Sequence, residues 1–514
     1  MLVYILILVA SIIYIVKKTD MNKIKTFVIC VALLSSSYVF SQTQGIAYTA
    51  VGKGVATTFV TDYHALGINP SALGWTPLYD DKRFTLGMTE FSAGISSPAL
   101  DKDRLKNAYQ AIRNQIGGKS GNFDWNQQRN AAADYAESGM NINASYNWFG
   151  ASFQHDVAGG FAISINESFN WFSQLNDQTT DLVFRGRLSS VFDSLTIAMN
   201  GDTTMIANTG NLSEDTLRSV IAGNISSPLL VSELTNGSRI KFSWNRYFNF
   251  GYGRKIFGDP EQFALYGGVG ARYIQAIGMF DLSSQDDGLR ARTAMSPFFG
   301  IDFGAGSEIS NDKFMPQTIG QGYGIDISAS VIMFGSLRLA ASVNNIGAVT
   351  YKRNVYSVKD TLVGSYSLPG LDDANMMQSI DQLSEGENFL RFEGEEKIVV
   401  NNAATFRLGG SLALFEEKLH VGVDVVAPFN REQPGSLQNA IFSVGGDVRP
   451  VKWLQLSLGY FGGGVYAHNM PIGINFILGG GTYEFGISSQ DAISFFKKDA
   501  NSLSMAMGIA RFRF

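Results

Sequence analysis

Side chains suited to acid–base, nucleophilic or metal chemistry are sparse in this sequence. The four histidines, His64, His155, His420 and His468, are scattered without ligand spacing, so no metal site is expected. Ser152 and His155 are the nearest approach to a nucleophile and its base, but a histidine closing a turn is the plainer reading. Neither a GxSxG elbow nor a phosphate-binding glycine loop is present. The single cysteine, Cys30, follows Ile29 inside an apolar stretch. A lipidated cysteine would follow a small residue at the end of such a stretch, so lipidation is not expected. Without Cys30 the chain has no thiol for disulfides, redox pairs or thiolate metal sites. A net charge of −5 with no clustered Lys/Arg surface excludes a nucleic-acid partner. The chain reads as a non-enzyme with no cofactor.

The elements around these residues explain that scarcity. Met21 opens a secretory signal over 21–41: Lys23 and Lys25 supply the charge, Thr26 to Leu34 the apolar stretch, and Val39 and Ser41 the residues before a cut at Gln42. Residues 1–20 read as an overlong start, with an N-terminal anchor as the alternative. The rest contains no apolar run of the roughly 18 residues a spanning helix requires. It shows instead period-two alternation in segments of about ten residues, the pattern of strands with lipid on one side and a lumen on the other. Leu419, Val421, Val423, Val425 and Ala427 alternate with His420, Gly422 and Asp424. Tyr323, Ile325, Ile327, Ala329 and Val331 alternate with Gly324, Asp326, Ser328 and Ser330. Ile240, Phe242 and Trp244 oppose Lys241, Ser243 and Asn245, and Leu454, Leu456 and Leu458 oppose Gln455, Ser457 and Gly459.

A soluble sandwich also alternates, but two features favour a membrane. Aromatics crowd the strand ends at Tyr146, Trp148, Phe149, Trp171, Phe172, Tyr247, Phe248 and Phe250, as in interfacial girdles. The chain also ends on an alternating segment, 502–514, whose Phe512 and Phe514 resemble the C-terminal insertion signal of outer-membrane barrels. Six short links and seven longer ones alternate along 83–514, predicting a closed, antiparallel, all-β barrel of fourteen strands. Both ends then face the periplasm and the long loops face outward. The segment Leu289 to Phe303 is assigned to a hairpin extension of the third outer loop. Arg272, Asp326, Arg338, Arg407, Asp424 and Asp447 fall on the less apolar face and are expected inside, because Arg or Lys facing mid-bilayer lipid costs about 2–4 kcal/mol. The last strand departs from this phase: Arg511 and Arg513 share a face with Ile509, Met507, Met505 and Leu503. Either a bulge reverses the phase or part of the lumen is apolar.

Residues 42–82 alternate weakly and are long enough to fold back into the barrel mouth. They contain Asp62-Tyr-His-Ala-Leu-Gly-Ile-Asn-Pro-Ser-Ala-Leu73. This resembles the Asn-Pro-Ala signature in the N-terminal hatch of the long-chain fatty acid transporter (FadL) family and of the PorV-type barrels of type IX secretion, with Ser71 where Ala is usual. Ala341-Ser-Val-Asn-Asn-Ile-Gly347 resembles a strand end common in the same superfamily. Over nearly the whole mature chain the sequence is similar to an uncharacterised Bacteroidota outer-membrane barrel family carrying a domain of unknown function. The resemblance implies fourteen strands, a plugged lumen and a hatch in which Asp62, His64, Asn69, Pro70 and Ser71 act in gating. For the Asn-Pro motif a plain turn is the alternative.

Two functions stay open. One is passive transport of a hydrophobic small molecule, captured by the loops and gated by the hatch; the other is a structural or secretion-associated barrel that binds a protein through its loops. Outer-membrane lipid is a partner in both. Leu105, Ala108, Ile112 and Ile116 recur at helical spacing. Ordinary loop packing is the plainer reading of that amphipathic helix; in a transporter it and its neighbours 191–199 and 217–221 would give a ligand its first apolar contact.

Overall fold

The computed structural model describes residues 47–75, 82–97, 133, 135–136, 139–199, 201–285, 288–303, 306–308, 315–367, 391–415, 417–463, 466–492 and 502–514. The chain divides into units 1–39 and 40–514, and all of these residues belong to the second. The amphipathic pattern at 105–116 lies outside the described residues.

Fourteen strands form one closed antiparallel wall. They are β1 (Phe84–Ser96), β2 (Met140–His155), β3 (Gly159–Gln174), β4 (Arg239–Asp259), β5 (Phe263–Gln285), β6 (Gly320–Met333) and β7 (Leu337–Tyr351). The others are β8 (Thr405–Leu414), β9 (Leu419–Pro428), β10 (Ile441–Val451), β11 (Leu454–Gly463), β12 (Ile472–Leu478), β13 (Tyr483–Ser489) and β14 (Ser502–Arg513). Each pairs with its neighbour in sequence, and β14 returns to β1 from Arg513 opposite Thr85 to Ser502 opposite Ser96. Closure leaves no unpaired edge, and each backbone group unsatisfied in hydrocarbon would cost several kcal/mol. The six tight turns and seven longer connections fall where the alternation placed them, and Gly288–Met295 is a hairpin extension paired onto 278–285.

The two faces of the wall separate as the sequence requires. Val421, Ile325, Ile327, Leu456 and Leu458 project outward and are exposed, while their neighbours His420, Asp424, Asp326, Ser328 and Gln455 are buried inside. A sheet with an exposed apolar outer face and a polar interior is a transmembrane barrel. Arg338, Arg407 and Asp447 are inside as well. Aromatics ring the turn side, where Phe84 meets Phe514, Phe161 meets Tyr252, Phe257 meets Phe263 and Tyr483 meets Phe512.

The break of phase in β14 is a bulge. Glu484 and Gly486 on β13 pair with Arg511 and Gly508, so β14 spends three steps where β13 spends two. Ser502, Ser504, Ala506 and Gly508 therefore face inward, and beyond Ile509 and Ala510 so does Arg511. β1 and β2 change phase with β14, and the register shift on their far side falls between β2 and β3, where Asn147 and Phe149 pair with Asn166 and Ile165. Thr89, with φ of 57°, and Trp148 are left out between the pairs Met88–Phe149 and Glu90–Asn147. Three adjacent strands thus shift phase at one level, which re-aims inward side chains without opening the sheet.

Two expectations need correction. Not all strand-end aromatics form a girdle. Tyr247 points into the lumen, Phe172 is buried, and Trp171 packs with Phe242, Met295, Ile301 and Phe303, because residues 295–303 fold over this part of the wall. The loop residues 191–199 and 217–221 are not a ready apolar contact for a ligand either. Leu195, Ile197 and Val220 join Leu182, Phe192, Val231, Val363 and Tyr366 in a core of their own. That core underlies a four-stranded sheet of Ser194–Met199, Asp202–Ala207, Val220–Leu230 and Leu362–Tyr366.

Two substitutions test these assignments. Val444 faces outward from β10, so Val444→Arg should destabilise the barrel by about 2–4 kcal/mol in lipid, read by urea unfolding in vesicles; an unchanged midpoint would show that this face does not meet acyl chains. At Gly508 a Cβ would sit 2.1 Å from the Tyr48 ring, so Gly508→Ala should cost about 1–3 kcal/mol. Proteolysis of 47–75 should quicken while the barrel persists, and adding Tyr48→Ala should reverse the effect.

Candidate functional site

Residues 47–75 lie inside the barrel as a chain of short helical turns, Tyr48–Val51, Asp62–Ala65 and Pro70–Gly74. So short a segment cannot build a core of its own. It borrows the wall, burying Tyr63, Ile68, Leu73 and Trp75 against Ala162, Ala264 and Tyr266. Close approach is possible because glycines stand in the wall where the segment comes nearest to its backbone. A Cβ at Gly87 or Gly150 would meet Tyr63, at Gly268 the backbone of Ser71, at Gly445 or Gly459 the carbonyl of Lys53, and at Gly486 or Gly508 Tyr48, all within 3.0 Å.

Polar side chains fix this hatch in register. Lys53 pairs with Asp447 at 2.5 Å, and the amides of Ala56 and Thr57 donate to Asp424 at 2.7 and 2.9 Å. Asp62, held at φ of 54°, pairs with Arg511, which also pairs with Glu484. Tyr63 donates to Glu90 at 2.5 Å, and His64 Nε2 lies 3.0 Å from the same carboxylate. Burial and the neighbouring Glu90 charge push the Tyr63 phenol well above its ordinary pKa, so it stays a proton donor in that bond.

The two quoted motifs meet here. Ser71 donates its amide to Ser328 at 2.7 Å, and its hydroxyl lies 2.6 Å from Asn69 Oδ1 and 2.8 Å from Ser330. The preceding carbonyl, of Ile68, accepts from Ser342 at 2.7 Å and Asn344 at 3.2 Å. Asn345, in the left-handed region at φ of 62°, forms a bulge on β7 opposite Asp326 and donates its amide to that carboxylate at 2.7 Å. Arg272 completes the group with Asp326 at 2.7 Å. Pro70 opens the last helical turn, where a missing N–H costs nothing.

Asp62, His64, Asn69, Pro70 and Ser71 are thus together and buried, although they contact different strands. Phe512 and Phe514 are not among them but lie in the turn-side girdle, Phe512 next to the Arg511 that Asp62 engages. The residues that sequence reasoning missed are Tyr48, Lys53, Tyr63, Glu90, Glu484 and the wall glycines. Glycine recurring at inward positions was the available signal. His155 accepts from the amides of Val157 and Ala158, closing a turn, and is not paired with Ser152. Among the described residues no cluster of metal-ligating side chains occurs.

Above the hatch is a cavity of about 170 Å³. Its floor is Tyr63, His64, Leu66, Gly67 and Ile68. Strands β1 to β4 give one wall, a field of Ser and Asn that includes Ser92, Asn143, Ser145, Asn166, Ser168 and Asn245. The other wall is apolar, with Ile274, Val349, Tyr351 and Val400. Asn345, Asn402 and Ala403 also line it, where β7 changes partner from Ile398–Asn401 to β8 and the wall pairing is interrupted.

Solved outer-membrane barrels are similar to this chain at a low level. The Pseudomonas putida toluene transporter TodX is 12% identical, with 93% of this chain and 99% of that chain covered and a TM-score of 0.38. A TodX deltaS2S3 mutant monoaromatic hydrocarbon channel is 11% identical, covering 91% and 98%, with a TM-score of 0.44. A Pseudomonas aeruginosa FadL homologue is 10% identical, covering 93% and 98%, with a TM-score of 0.33. Likeness at this level assigns neither an activity nor a cargo. No curated protein matches in sequence. The model of one family of unknown function spans residues 104–485, well over half of the sequence, and the chain belongs to that family, DUF5723.

Proposed function

We propose that this protein is a passive, hatch-gated transporter of small molecules in the outer membrane, exported by the signal at 21–41 and inserted with Phe512 and Phe514 as its C-terminal signal. The reading assigns it no catalytic step and no cofactor. The observation that carries it is that the floor of the lumenal cavity is the hatch itself, held by side-chain hydrogen bonds and ion pairs and by no strand pairing. Such contacts can break and reform without unfolding the sheet. The apolar wall and the interrupted β7 pairing beside it support a cargo with hydrophobic surface.

Protein binding through the loops is a second reading, favoured by the self-contained module whose strand Asp202–Ala207 is an exposed sheet edge, a surface open to strand addition. A partner that copurifies with the intact protein and is lost on deleting 190–230 would favour it over transport.

Ser71 and Ser330, whose hydroxyls are 2.8 Å apart, provide the test. Oxidation of a Ser71→Cys/Ser330→Cys variant should tie the hatch to the wall and reduce small-molecule flux in proteoliposomes at least about tenfold, with recovery on reduction. Flux that is unaffected by the tether would refute hatch gating, and an untethered barrel that passes nothing would refute transport.

A further inference from the structure

The two walls of the lumenal cavity differ in chemistry, and the difference specifies a ligand. On one side β2 and β3 bring Asn143 opposite Asn170, Ser145 opposite Ser168 and Asn147 opposite Asn166. The Ser and Asn side chains of this wall line the cavity with donors and acceptors together, so a ligand group that suits it must both give and accept a hydrogen bond, as a hydroxyl does. A wholly apolar molecule would leave these groups without partners, which is costly, so this wall discriminates against it. Facing it are Ile274, Val349 and Val400, which suit a hydrocarbon face. Charge is no part of the recognition: the carboxylate, imidazole and guanidinium that line the cavity are Glu90 and His64, which engage each other, and Arg272, which Asp326 engages. The cavity's 170 Å³ exceeds the roughly 150 Å³ that encloses one bare six-membered carbon ring, and it is open rather than enclosed, which leaves room for a substituted ring.

We propose that the cavity is a binding site for a neutral, polyhydroxylated six-membered ring, a hexose-sized sugar or cyclitol, seated on the hatch at Leu66–Ile68 with its hydroxyls against β2 and β3. The assignment rests on the transporter reading only for why a ligand would be held there.

The purified full-length barrel, in a detergent without a sugar headgroup, is titrated calorimetrically with methyl α-glucoside and separately with toluene. Saturable glucoside binding that weakens about tenfold or more in Asn143→Leu/Asn170→Leu, while the heat-dependent gel shift of a folded barrel is kept, supports the site. Binding of toluene alone, or glucoside binding indifferent to the substitutions, overturns it. Proteoliposome flux separates this inference from the function on which it rests. Glucoside that binds but does not cross upholds the site and overturns transport; glucoside that crosses with no saturable binding upholds transport and overturns the site.

Discussion

The interior depends on a steric constraint: at one level of the wall, strand after strand must present no side chain. Only there can a chain segment lie against the sheet at backbone distance, as Lys53 does at Gly445 and Gly459 and Ser71 at Gly268. Glycine weakens a strand in isolation, but in a closed sheet the wall pairing compensates. The resulting recess determines how deep the hatch sits, and therefore which polar groups it meets and how much lumen stays empty above it.

Polar contacts then make that seat specific. Buried ion pairs are poor sources of net stability, because desolvation offsets most of their attraction, but removing one partner is strongly destabilising. Asp62, Arg511 and Glu484 form such a set, as do Lys53 and Asp447. They oppose any hatch position in which a charge is left alone. The phase changes in β14, β1 and β2 serve the same end, since without the added step Arg511 would point into lipid and Glu90 could not share a face with Gly87.

The barrel was legible in the sequence because lipid on one face and polar interior on the other force a two-residue period at positions such as 323–331 and 419–427. The parity of long and short connections then gave the strand number. The phase break at Arg511 was visible, but its cause was not, because a bulge is defined by pairing with another strand. The Asp62–Leu73 and Ala341–Gly347 patches stood out separately; that Ile68 bonds to Ser342 and Asn344 is a contact across nearly three hundred residues, which no local pattern encodes. Aromatic content misled at Trp171 and Phe172, since a ring covered by a loop and a ring at a headgroup read alike. Apolar loop residues such as Leu195 misled similarly, their partners Val363 and Tyr366 coming from a distant loop.

That last pairing has a mechanical consequence. The loop between β3 and β4 supplies three strands of the outer module, and the connection between β7 and β8 supplies the fourth, Leu362–Tyr366. Two excursions that leave the wall at separate places are riveted into one body with a shared core. Independent loops fluctuate in nanoseconds to microseconds, whereas a packed body shifts collectively in microseconds to milliseconds. Traffic past this module would therefore respond to the slow rocking of a single plate rather than to the flutter of separate strings.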